Sequence, residues 1–85
     1  MSNSVENHVR TVIARALELT PLETQPDAPI AGVASKRALR EISHALGLHY
    51  DVAFPAGAYK AWSTVADVVI ATEAAIAAGV QRSAA

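Results

Sequence analysis

The sequence predicts an all-α fold of three main helices, one short helix and a long first loop. Three observations carry this. Apolar residues recur at helical intervals near both ends, alanine supplies 19 of the 85 residues, and the four prolines and four glycines cluster between the periodic segments. A chain that is 52% hydrophobic and 18% charged folds rather than staying disordered, and its length suits one domain, 1–85, with a core at about 4–79. Without cysteine it has neither disulfides nor cysteine-ligated zinc, so packing alone must stabilise it.

In the first segment Val5, Val9, Val12, Ala16 and Leu19 recur every three or four residues, with Ile13 and Leu17 widening the stripe, which predicts an amphipathic helix over 4–19. Thr20 to Ala34 carries Pro21, Pro26, Pro29 and Gly32 and is expected to be an ordered loop. Ser35 suits the N-cap of a second helix that carries Leu39, Ile42 and Leu46 on one face and stops at Gly47. Leu48 to Pro55 alternates weakly but has no partner strand, so an extended connector burying Tyr50 and Phe54 is expected. A short helical turn over 58–61 leads to Trp62. Thr64 with Asp67 forms a capping-box pattern for a last helix whose face is Val65, Val68, Val69, Thr72 and Ile76, ended by Gly79. Residues 81–85 are expected to fray.

Seven basic against eight acidic residues give a net charge of -1, which argues against a nucleic-acid partner, since phosphate binding needs a dense basic face. Nothing at the N-terminus resembles a secretory signal, and Val68 to Ala78 is too short and too interrupted to span a bilayer. The expectation is a soluble, cytoplasmic monomer with no membrane partner. Among His8, His44 and His49 no spacing puts two on one helical face beside a carboxylate, so neither a metal site nor a catalytic residue is assigned. Glu41 and His44 are close enough in register to pair at the surface. A triad built on Ser35 would need long-range contacts.

Ser35 carries more. The run Gly32-Val33-Ala34-Ser35-Lys36, followed by Leu39 and Ile42, resembles the prosthetic-group site of acyl carrier proteins, where glycine, any residue, aspartate, serine and leucine open the second helix. Phe54-Pro55 and Trp62-Ser63-Thr64-Val65-Ala66-Asp67 are similar in spacing to that family's isoleucine-proline, third helix and threonine-valine-x-aspartate opening of the last helix. The likeness covers residues 5–78 and departs at Ala34, where the family has aspartate, and at Lys36, where it has leucine.

This resemblance implies a four-helix bundle and a carrier that performs no chemistry itself. A transferase would attach 4'-phosphopantetheine from coenzyme A to Ser35, and the arm would carry acyl intermediates as thioesters between enzymes of a fatty-acid or polyketide-like pathway. The family's second helix is acidic, whereas Lys36, Arg37 and Arg40 make this one basic, so the expected partners, acyl-transferring or condensing enzymes, present an acidic docking face. Two plainer readings stand beside it. Ser35 is an ordinary N-cap and the cations keep an exposed helix soluble, or the chain is an acyl-carrier-like interaction module without a prosthetic group.

Overall fold

A computed structural model describes residues 2–55 and 57–79. Its three α-helices are α1 (Ser2–Leu17), α2 (Lys36–Tyr50) and α3 (Val65–Ala78), with short 3₁₀ helices at Pro21–Thr24 and Ala58–Ala61. No strand forms among the described residues, only the isolated bridges Pro29 to Thr64 and Ala31 to Ala34. The chain is all-α, and the expected turn over 58–61 is present. The expected fraying of 81–85 lies outside the described residues.

α1 begins earlier and ends sooner than its apolar stripe suggests. At Glu18 the backbone turns left-handed (φ 56°), and the Leu19 N–H closes onto the Ala14 carbonyl at 2.8 Å, so the stripe runs past the helix itself. Glu23 then accepts from both the N–H and the hydroxyl of Thr20, at 2.8 and 3.0 Å, which organises the 3₁₀ helix inside what the prolines marked as loop.

α2 does not stop at Gly47. It continues to Tyr50 and ends where Asp51 turns left-handed (φ 53°). Gly47 instead lies in the buried interior, where a Cβ would approach the Val52 carbonyl oxygen at 3.1 Å. Absence of a side chain lets the returning chain come close, and the same Gly47 carbonyl accepts from Val52 at 3.1 Å. With Leu48–Tyr50 helical, the expected connector is shorter. Val52 becomes its buried anchor, while Tyr50 and Phe54 are half-buried against the core.

The core draws Val9 and Ile13 from α1, Ile42 and Leu46 from α2, and Val65, Val68 and Val69 from α3. Ile30 from the first loop and Trp62 from the segment before α3 complete it. α1 packs against both other helices and against the first 3₁₀ helix. α3 follows the expected face through Thr72, whose buried hydroxyl donates to the Val68 carbonyl at 2.8 Å, but Ile76 is 38% exposed because the helix end projects past the core.

Trp62 meets the Phe54 ring edge-on, with centroids 5.7 Å apart. In so small a core its loss has little to compensate it. Trp62→Ala is expected to destabilise the fold by about 3 to 5 kcal/mol, read as a lower midpoint in urea unfolding.

Candidate functional site

Ser35 sits at the coil-to-helix junction the sequence predicts for it. Its side chain is exposed, and its Oγ accepts the Ala38 N–H at 3.1 Å as the N-cap of α2. What holds it there is the loop before it. Gly32, with φ 81°, makes a turn that glycine adopts without strain, and the Val33 and Ala34 N–H groups both donate to the Ile30 carbonyl, at 3.1 and 2.8 Å. Ile30 is buried, so the turn is anchored from below.

The loop is in turn stitched to the start of α3. Ile30 and Ala31 donate to the Ser63 carbonyl at 2.8 and 3.2 Å, while the carbonyls of Ala28 and Pro26 accept from Val65 and Ala66 at 3.1 and 2.9 Å. Thr64 and Asp67 form the capping box the sequence predicted. Asp67 accepts from the N–H groups of Ser63 and Thr64 at 2.8 and 3.1 Å, and those bonds hold its carboxyl below the ordinary carboxylate range.

Lys36, Arg37 and Arg40 are all exposed on the first turns of α2, and no acid lies in its first turn. Their positions, three and four apart, bring them to one side of the helix beside Ser35. Glu41 pairs with Arg37 at 3.4 Å rather than with His44 as expected, and this exposed pair adds little stability. The helix N-terminus and these cations make the surroundings of the Ser35 hydroxyl electropositive.

No histidine joins that site. His44 and His49 follow Ser35 by nine and fourteen residues on one helix, about 13 and 21 Å along its axis at ~1.5 Å per residue. His8 lies at the far end too, its ring stacked on His49 at 3.8 Å with Tyr50 edge-on to both. This aromatic cluster joins the N-terminal half of α1 to the C-terminal end of α2, and sequence spacing gave no sign of it because the two segments meet only through the fold. Burial, then the neighbouring His49 and Arg15, lower the His8 pKa from its ordinary 6.5. Among the described residues no group of three or more His, Asp or Glu is placed to hold a metal ion.

The surface also carries clefts, two of which bear on function. One, of about 450 Å³, lies between α1 and the first 3₁₀ helix. The other, of about 550 Å³, is an apolar groove between the 53–58 segment, including Phe54, and the alanines of α3. No helix among the described residues is long and apolar enough to cross a membrane. No family model matches the chain, and no curated protein does.

Two outcomes follow from this geometry. Ser35→Ala removes the α2 cap and is expected to lower unfolding free energy by about 1 kcal/mol, with Ser35→Gly losing only a few tenths. As pH falls below 6.5 the unfolded chain takes up a proton that folded His8 resists, so stability declines until the folded ring also protonates and is flat above that window. Thermal midpoints recorded across this range should show a shallower acid-side decline in His8→Gln.

Proposed function

We propose that this chain is an atypical acyl carrier protein, built as an acyl-carrier-like four-helix bundle in which the 58–61 turn serves as the short helix. Ser35 is its attachment point for 4'-phosphopantetheine, and the chain works as a cytoplasmic monomer in a fatty-acid or polyketide-like pathway. The supporting observation is the exposed hydroxyl of Ser35 at the N-cap of α2, on a loop tied to α3. A phosphodiester there lies beside the positive helix end and the cations Lys36 and Arg37.

The modification itself is a transfer. Ser35 Oγ forms a bond to the phosphorus bearing the pantetheine arm, the pyrophosphate bond of coenzyme A breaks, adenosine 3',5'-bisphosphate leaves, and the seryl proton passes to a base on a phosphopantetheinyl transferase. Once attached, the arm supplies a thiol that carries acyl groups as thioesters. This chain's own residues present the hydroxyl and set partner choice. No histidine base lies within reach of Ser35, which favours a carrier over a self-contained serine enzyme.

Ala34 and Lys36 bear on who the partners are. Ala34 places no carboxylate beside the serine, and Lys36 is exposed where the family's leucine packs, so the proposed docking face is basic at the first turn of α2, with Glu41 one turn on as its acid. Acyl-transferring and condensing enzymes that use it present acidic surfaces, and those built for an acidic second helix are repelled. A second reading has its own support: the Ser35 Oγ already caps α2, which is a sufficient use for a serine in an interaction module without a prosthetic group.

Intact-mass measurement after incubation with coenzyme A and a broad-specificity transferase separates the two. The carrier gains one phosphopantetheinyl group, and Ser35→Ala gains none. No gain with any transferase, including one encoded beside the gene, favours the interaction module. Changing Lys36, Arg37 and Arg40 to glutamate is expected to weaken partner binding at low salt by at least about tenfold, measured by titration calorimetry. Unchanged affinity removes the docking claim.

A further inference from the structure

The cleft between α1 and the first 3₁₀ helix differs in chemistry from the alanine groove. Asn7, Arg10, Thr11 and Ala14 succeed one another at three-, one- and three-residue steps along one side of α1, with Arg15 beside them, and Leu19 and Thr24 line the cleft as well. No carboxylate lines it. Its inner polar residues are held in place: Thr24 is fully buried, the Arg10 Nε is shielded from water, and both residues make interactions within the fold. Arg15, exposed at the rim, lies at ion-pair distance from no carboxylate among the described residues.

The guanidinium groups of Arg10 and Arg15 and the Asn7 amide bring donors with no carboxylate in the lining to compete for them, which suits an oxyanion, while the Thr11 hydroxyl already donates to the Asn7 backbone carbonyl at 2.9 Å. The volume of about 450 Å³ is larger than an inorganic ion needs, and Ala14 and Leu19 supply apolar surface beside the charges. Partial shielding from water strengthens the attraction of Arg10 for a negative group. We propose that this cleft binds a small organic oxyanion, a carboxylate or phosphate ester with a short apolar body. The head lies between Arg10 and Arg15, and the body rests on Ala14 and Leu19. The site shares no residue with the Ser35 surface and stands whether or not Ser35 is modified.

Titration of the ¹⁵N-labelled full chain with hexanoate, with hexyl phosphate and with hexanol as the neutral control tests it. One or both anions are expected to shift the amides of residues 7–24 saturably while hexanol does not, and the stronger of the two identifies the head group. Arg15→Gln is expected to weaken binding roughly tenfold, the scale of one charge-assisted hydrogen bond, and Arg10→Gln at least as much. Because Arg10 is part of the packed structure, Arg15→Gln decides the matter if Arg10→Gln fails to fold. Equal binding of hexanol, shifts centred on residues 53–78, unchanged affinity in Arg15→Gln, or no saturable shift from either anion overturns the proposal.

Discussion

The seam between the first loop and the start of α3 governs the architecture around Ser35. A helix begins with N–H groups that have no partner within the helix, and a loop rich in proline has carbonyls that need donors. Here each supplies the other: Val65 and Ala66 donate to Ala28 and Pro26, and Ile30 and Ala31 donate back to Ser63. Ile30 then inserts into the core and commits the loop to one path. Holding so long a connection in one conformation costs substantial backbone entropy, and these bonds, with the buried isoleucine, offset it. Ser35 inherits its position from that arrangement, five residues after the anchor and at the first turn of α2.

What the sequence made legible were the features whose causes are local. A serine before an apolar run, a threonine three residues ahead of an aspartate, and a glycine after the last helix each act within one turn of backbone. The structure has all three where local chemistry puts them, at Ser35, Thr64 and Gly79. Gly47 misled because glycine has two uses that composition cannot separate. It ends a helix by turning left-handed, or it permits close approach within one, and here the second applies, with Asp51 taking the left-handed turn. Ile76 belongs to the periodic face of α3 but lies past the last layer of the core, a fact of helix length against partner length that periodicity does not contain.

The features that sequence missed are those made by two distant segments at once. His8 and His49 stack only because α1 and α2 run in opposite directions, and the arginine-lined cleft exists only because the 3₁₀ helix returns alongside α1. In both, each residue taken alone suggests a solvated surface group. The carboxylate contact that the sequence anticipated, Asp67 with Thr64 in the cap of α3, is again one confined to a few consecutive residues.

A net charge of -1 conceals how unevenly charge is distributed. The first turn of α2 has cations and no acid, Asp67 is occupied by the cap of α3, and Glu23 is occupied by Thr20, so neither of these carboxylates is disposed to neutralise a distant basic surface. Long-range attraction depends on that local imbalance rather than on the total, and it decays over about 8 Å at physiological ionic strength. The field of the basic end of α2 is therefore felt only at close approach. Ala34 contributes to that imbalance, because a carboxylate at that position would sit one residue from the Ser35 hydroxyl and reduce the positive field there. Ala34 and Lys36 act in the same direction at this helix start, since the first adds no negative charge beside the hydroxyl and the second adds a positive one.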